Sequence, residues 1–89
     1  MTPVARSDIR NREKAALRGE PTAQFDLGLM YSTGQGVPVD MITAHKWFNI
    51  AAMAGFREAR ELRSELARDM TPREIAEAQR LAREWYLSH

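Results

Sequence analysis

Residues 31–40 read YSTGQGVPVD, and they interrupt a chain otherwise rich in Ala, Leu, Arg and Glu. Gly34 and Gly36 tolerate positive φ angles that other residues avoid, and Pro38 prevents a helix from propagating backward. Asp40 is a residue type whose side chain caps the N-terminus of a helix. The stretch therefore predicts a tight turn that ends one helix and leads into the next.

The segments on both sides of this turn have the spacing of buried helices. Residues 21–33 are apolar on more than one side, which is typical of a helix sandwiched between other elements. Because Gly28 would weaken an exposed helix by about 1 kcal/mol, we expect a neighbouring backbone to approach it closely. The apolar stripes are formed by Ala23, Leu27, Met30 and Tyr31 in this segment, with Phe25 and Leu29 lying off the stripe, and by Ala44, Trp47, Phe48, Ala51 and Ala52 in residues 41–54.

Three further helices are predicted, giving five in all, near 4–18, 21–33, 41–54, 57–69 and 72–87. The first has a thin apolar face, with Ser7 or Asp8 as its cap. The last begins with the strongest start signal in the chain, because Thr71 and Glu74 have the spacing of a capping box. No segment alternates between apolar and polar residues, so we predict no strands and an all-α fold.

Length and composition limit the class of protein. The 89 residues make one small domain. The chain has no cysteine, which excludes disulfide scaffolds, thiolate metal sites and cysteine nucleophiles. His45 and His89 are 44 positions apart, so no metal site is predicted. A net charge of +1, without a concentrated basic face, argues against nucleic acid as a partner.

The expected setting is the cytoplasm. The longest apolar runs are far shorter than the roughly 20 residues that cross a membrane, so no membrane partner is predicted. Residues 1–20 contain no apolar segment of a signal peptide. Arginine outnumbers lysine eleven to two, which suggests a GC-rich bacterial genome.

The chain also matches itself at an offset of 36 residues. The matching positions are Ala15-Ala16 with Ala51-Ala52, Gly19 with Gly55, and Ala23 with Ala59. A period of this length with helix–turn–helix content is typical of a solenoid, in which each helix pair buries its face against the next.

Residues 15–59 resemble the Sel-1-like repeat, a relative of the tetratricopeptide repeat. The positions that carry the resemblance are Leu27, Gly28, Tyr31, Gly34, Gly36, Val37, Asp40, Ala44, Trp47, Phe48, Ala51, Ala52 and Gly55. The C-terminal MTPREIAEAQRLAREW is similar to the tail that follows the last repeat in many bacterial proteins of this family. The second unit departs from the pattern, because Arg63 and Ser64 stand where Leu-Gly would fall and no Gly-x-Gly turn follows.

The resemblance implies a short α-solenoid of antiparallel helix hairpins, with one full repeat and one degenerate unit. We expect a single domain over 1–89. It would comprise an N-terminal helix at 3–18, the full repeat at 21–55, and a degenerate repeat with a C-terminal capping helix at 57–87.

The function that the resemblance implies is a non-enzymatic protein–protein interaction module or adaptor, because the family supplies concave surfaces for protein partners. Two alternatives remain open. One is an enzyme of the type linked to β-lactam hydrolysis or binding, although those family members are cysteine-rich and extracytoplasmic. The other is a small helix-turn-helix nucleic-acid binder, which the charge balance disfavours. No catalytic residue and no cofactor is predicted.

The candidate protein-binding residues lie on helix faces outside the packing pattern. They are Gln24 on the first helix of the repeat and His45, Lys46 and Asn49 on the second. His45 is expected to be a surface histidine. Trp47 and Phe48 are expected to be packing residues instead of ligand-stacking ones, and Tyr31 a packing residue whose hydroxyl reaches the surface.

Apolar residues beyond these stripes suggest a homodimer. Trp85, Tyr86 and Leu87 crowd the end of the last helix, and Ile50, Met53 and Ala54 form a second stripe beside Trp47. A two-fold dimer would bury such surfaces against one another.

Overall fold

Five helices form in residues 6–89, the part of the chain that the computed structural model describes. They are α1 Arg6–Leu17, α2 Pro21–Thr33, α3 Met41–Met53, α4 Arg57–Ala67 and α5 Pro72–Ser88, and this range contains no strand. The predicted all-α fold is confirmed, and the helix ends after the first lie within two residues of the predicted ones. The predicted start of the first helix, at residue 3 or 4, lies outside the described residues.

The turn between α2 and α3 has the predicted geometry. Gly34 and Gly36 have φ angles of 77° and 79°, and the Gly34 amide donates to the Met30 carbonyl at 2.8 Å. The Asp40 amide then donates to the Tyr31 carbonyl at 2.9 Å, which closes the turn. The glycines thus let the chain reverse within a few residues, as predicted.

Two of the three predicted helix caps are present. The Asp40 carboxylate accepts from the Thr43 amide at 3.1 Å. At α5, the Glu74 amide donates to the Thr71 hydroxyl at 3.1 Å, and the Thr71 amide donates to the Glu74 carboxylate at 2.8 Å. The cap predicted for the first helix is wrong, because Ser7 and Asp8 both lie inside α1. Asp8 is instead in the first turn of α1, where a carboxylate interacts favourably with the helix dipole.

Helix α3 is the centre of the fold, because it packs against α2, α4 and α5, while α1 packs against α2. Its two buried faces contribute to two apolar clusters. The first cluster contains Ile9, Ala16, Ala23, Leu27, Met30, Trp47, Ile50 and Ala82. The second contains Ala44, Phe48, Ala51, Ala59, Leu66, Met70 and Ala78. Trp47 and Phe48 are 5% and 1% exposed, so the prediction that they are packing residues is confirmed.

The close approach predicted at Gly28 exists, but its partner is a side chain and not a backbone. A Cβ atom at Gly28 would overlap Cδ1 and Cε1 of the Phe48 ring. Helix α2 therefore needs glycine here so that the aromatic ring of α3 can lie against its backbone.

Replacing Trp47 by alanine should destabilise the fold. Truncation of a buried tryptophan typically costs about 3–5 kcal/mol, a large part of the stability of a small domain. Chemical denaturation measures this loss. Leu17→Ala is the control, because Leu17 is 47% exposed. This substitution should lower the free energy of unfolding by no more than about 1 kcal/mol. Equal free energies of unfolding for wild type and Trp47→Ala would contradict the buried position of the indole.

Candidate functional site

Gln24, the first candidate binding residue, is buried between α1 and α2. Its side chain is 1% exposed, and Nε2 donates to the Ala16 carbonyl at 3.1 Å. The short connection at Gly19 and Glu20 folds α1 back onto α2, which covers this side of α2. The expectation that Gln24 is a surface residue is therefore wrong, and its amide instead joins the two helices.

His45 is also buried, at 3% exposed, so the prediction of a surface histidine is wrong. The physical reason is the central position of α3, which three other helices cover. Burial lowers the pKa of His45, and the charge of Arg63 lowers it further. Among the described residues, no group lies within hydrogen-bonding distance of Nδ1. The imidazole is therefore held neutral inside the fold.

Lys46 and Asn49 are half-buried and face different neighbours. The Asn49 Oδ1 accepts from Arg63 Nη1 of α4 at 2.6 Å. The Lys46 ammonium lies 4.4 Å from the centroid of the Trp47 ring. Burial lowers the pKa of Lys46, and the carboxylates of Glu13 and Glu84 partly offset that effect. The structure therefore does not bring the four predicted binding residues together on one surface.

Lys46 lines a depression between α1 and α3, which we call the Lys46 cleft. Its volume is about 230 Å³, and it is lined by Glu13, Leu17, Tyr31, Thr43, Lys46 and Trp47. Burial raises the pKa of Tyr31, and Glu13 and Asp40 raise it further, so this phenol stays protonated. The cleft presents one ammonium and one carboxylate beside an aromatic edge.

A second and larger depression separates α2 from α4, and we call it the α2–α4 groove. Its volume is about 290 Å³, and it is lined by Leu29, Ser32, Thr33, Phe48, Leu62, Glu65, Leu66 and Asp69. Phe48 belongs to α3, so the groove lies between α2 and α4 with α3 beneath it. The turns after α2 and α3 each reverse the chain, and α2 and α4 therefore run parallel.

The lining of the groove combines apolar walls with polar rims. Leu29 and Leu62 are half-buried, one on each wall. On the α2 side, the Thr33 and Ser32 hydroxyls donate to the Leu29 carbonyl at 2.7 Å and 3.1 Å. These hydroxyls are satisfied within the helix, so the apolar parts of the groove dominate what it can bind.

Sequence reasoning missed this groove, although one signal pointed to it. Leu29 lies off the apolar stripe of α2, so it was free to contribute to another surface. The opposite wall comes from the degenerate unit, whose sequence no longer follows the repeat pattern. The pairing of the two walls was therefore not visible in the repeat itself.

The described residues contain neither a metal-binding cluster nor a membrane-spanning helix. Residues 6–89 contain no cluster of three or more His, Asp or Glu side chains that could hold a metal ion. In the same range, no helix is both long enough and apolar enough to cross a membrane.

The α2–α3 hairpin, with α1 packed on α2 and with α4 and α5 packed on α3, forms an all-α helical repeat fold. Residues 21–56 match the Sel1 repeat, which covers α2, the Gly34–Asp40 turn and α3. The Sel1 repeat that the sequence predicted over this segment is therefore confirmed. Sel1 repeats are in general protein–protein interaction modules.

One curated relative is chitin synthase regulatory factor 3 of Schizosaccharomyces pombe. The two sequences are 41% identical over 54 residues, which is 61% of this chain. The matched segment is only 6% of the length of that relative. The similarity thus leaves most of that protein without a counterpart here.

Stability should fall on acidification because of His45. Its folded-state pKa is lowered, whereas the unfolded chain keeps the ordinary value of 6.5 and so binds more protons as the pH falls. The free energy of unfolding should therefore be highest above pH 6.5 and decrease below it, by at most about 1.4 kcal/mol per pH unit. Urea denaturation at about pH 7.5 and about pH 5.5 measures this loss.

His45→Gln is the matched variant, because glutamine cannot take up a proton in this range. The variant should lose less stability than wild type between the two pH values. His89 is present in both proteins and cancels in the difference. Identical losses for the two proteins would show that His45 does not carry the pH dependence.

Proposed function

We propose that this chain is a non-enzymatic protein–protein interaction module and that a protein partner binds in the α2–α4 groove. The observation that carries the proposal is the pair of half-buried leucines, Leu29 and Leu62, which face a groove that no other helix of the described chain fills. Apolar concave surfaces with a few polar groups at the rim are the usual form of a binding site.

The rigidity of the groove also supports this role. Its walls belong to helices that pack on α3, and its floor is the buried ring of Phe48. A partner that enters the groove therefore meets a preformed surface and orders little of this chain when it binds. Such preorganisation lowers the entropic cost of association.

The Lys46 cleft is a second candidate contact surface. Lys46 and Asn49 stay candidates because both keep part of their side chains accessible, whereas Gln24 and His45 do not. The carboxylates of Glu13 and Glu84 stabilise the charged form of Lys46. A charge reversal at Lys46 therefore distinguishes this surface from the groove.

The setting of the interaction is part of the proposal. A protein partner in a bacterial cytoplasm fits the arginine-rich composition and the near-neutral charge, and neither nucleic acid nor a membrane is proposed as a partner. The name of the Schizosaccharomyces pombe relative describes a regulatory factor. Regulation by binding is compatible with the proposed interaction module, and we do not propose chitin synthase as the partner.

Blocking the groove should abolish partner capture. Thr33→Arg adds a long side chain at an exposed position in the lining, and a cation is favourable at the C-terminus of α2. Immobilised wild-type protein and variants would be incubated with a lysate of the native host, and the retained proteins identified by mass spectrometry. Proteins held by wild type should be lost on Thr33→Arg.

Two further variants make this experiment specific. Gln79→Arg adds the same side chain at an exposed position of α5, which does not line the groove, and should retain the partner. Lys46→Glu tests the Lys46 cleft. If Thr33→Arg retained the partner proteins and Lys46→Glu lost them, the binding site would be the Lys46 cleft and not the groove. If every variant retained the partner proteins equally, neither the groove nor the cleft would be the binding site.

Self-association is a second proposed property. Met53 and Leu87 are 69% and 82% exposed, and the Tyr86 hydroxyl donates to the Ile50 carbonyl at 3.1 Å, which places the last turns of α3 and α5 side by side. Ile50 itself is 1% exposed, so only Met53 and Ala54 of the predicted second stripe stay accessible. We propose that these helix ends form a two-fold interface.

Light scattering at tens of micromolar tests the dimer. The mass should rise from 10.2 kDa towards twice that value as the concentration increases. The double variant Met53→Lys/Leu87→Lys replaces the two most exposed large apolar side chains within residues 8–89 and should stay at the monomer mass. A wild-type mass of 10.2 kDa that does not change with concentration would end the dimer proposal.

A further inference from the structure

The charged residues that line the α2–α4 groove are both acidic. They are Glu65 in the last turn of α4 and Asp69 just after it, and both are exposed. Within residues 8–89, neither side chain forms an ion pair or a hydrogen bond. The two carboxylates therefore stand unpaired beside an apolar surface.

Other carboxylates of the fold do have cationic partners. On α5, Arg80 bridges Glu77 and Glu84, and between α1 and α2 the Arg12 guanidinium lies 3.6 Å from the Asp26 carboxylate. Arg63, which follows Leu62 on the α4 wall, donates to Asn49 of α3 instead. Within the described part of the chain, Glu58 and Glu61 of α4 also lack an ion pair, so Glu65 and Asp69 are distinguished by their position beside the apolar groove.

The helix ends add negative potential at the same place. The groove is lined by the last turns of α2, at Leu29, Ser32 and Thr33, and by the C-terminal half of α4. Because α2 and α4 run parallel, both present their C-terminal ends here, and these ends carry partial negative charge. Arg57 and Arg60 of α4 line a separate depression at the opposite end of that helix.

The apolar part of the groove is small. Its volume of about 290 Å³ is near the lower limit of ligand pockets, so it accommodates one or two side chains and not a whole helix. Leu29 and Leu62 form its walls, and Phe48 and Leu66 lie at its base. An aliphatic or aromatic side chain is the chemistry that such a surface binds.

From this arrangement we infer that the α2–α4 groove binds a protein segment in which an aliphatic or aromatic side chain is flanked by lysine or arginine. The apolar side chain enters between Leu29 and Leu62, and the cation reaches Glu65 or Asp69. The charge complementarity selects this occupant over an acidic or uncharged segment. The inference rests on the proposed function, since it names the class of partner for the same groove.

Peptide display tests the inference directly. A random twelve-residue peptide library on phage would be selected on immobilised full-length protein, with Thr33→Arg used to subtract peptides that bind elsewhere. Enriched peptides should carry an apolar residue within two positions of lysine or arginine. The most enriched peptide and a version with its basic residues changed to glutamine would then be synthesised with a fluorescent label. The uncharged version should bind about fivefold more weakly to wild type.

The variant Glu65→Gln/Asp69→Asn should bind the two synthetic peptides equally, because it keeps the shape of the groove and removes its charges. Raising the salt concentration should weaken the binding of the basic peptide to wild type and leave the binding of the uncharged peptide nearly unchanged. Gln79→Arg should behave as wild type, which controls for an added arginine.

Each other outcome overturns the inference in a distinguishable way. Peptides that need an open groove but show no preference for basic residues would overturn the partner class and leave the proposed function standing. Peptides that bind wild type and Thr33→Arg equally, or a library without enrichment, would overturn the groove as a peptide site. A change of mass in light scattering on Thr33→Arg would show that a second copy of this chain fills the groove.

Discussion

The contact between the Phe48 ring and the backbone at Gly28 fixes the geometry on which the rest of the fold depends. Without a Cβ at residue 28, α3 approaches α2 closely enough for the ring to be 1% exposed. The same ring packs against Phe25 at a centroid distance of 5.8 Å and forms the base of the α2–α4 groove. One contact therefore sets the spacing of the repeat hairpin and the depth of the candidate binding site.

The central position of α3 has a chemical consequence for its polar residues. A helix covered on three sides has little surface left for polar side chains, so some of them are buried and their hydrogen bonds stay inside the fold. The Asn49 side chain accepts a hydrogen bond from Arg63. His45 remains neutral, and its Nδ1 has no hydrogen-bond partner among the described residues. His45, which looks available for binding from the sequence, thus lies in the packed interior of the repeat.

Local sequence was enough to predict the helices, because their signals act over a few residues. The capping box of Thr71 and Glu74, the Asp40 cap and the turn glycines all depend on neighbours within one turn. The burial of Gln24 and His45 depends on which distant helix covers each face, and no local pattern carries that information. The groove escaped prediction for the same reason, since its two walls lie 29 to 40 positions apart in the sequence.

The degenerate unit explains why the groove stays open. At the repeat offset of 36, Ser64 replaces Gly28 and Glu84 replaces Phe48, so the contact that closes the α2–α3 hairpin has no counterpart between α4 and α5. Ser64 is exposed, and Glu84 pairs with Arg80 on the surface of α5. Both helices therefore pack mainly on α3, and α4 is held there by Ala59, Leu66 and the Arg63–Asn49 hydrogen bond. Because α4 is positioned by α3 and not by a hairpin partner, its carboxylate-bearing end is left beside α2, where the groove forms.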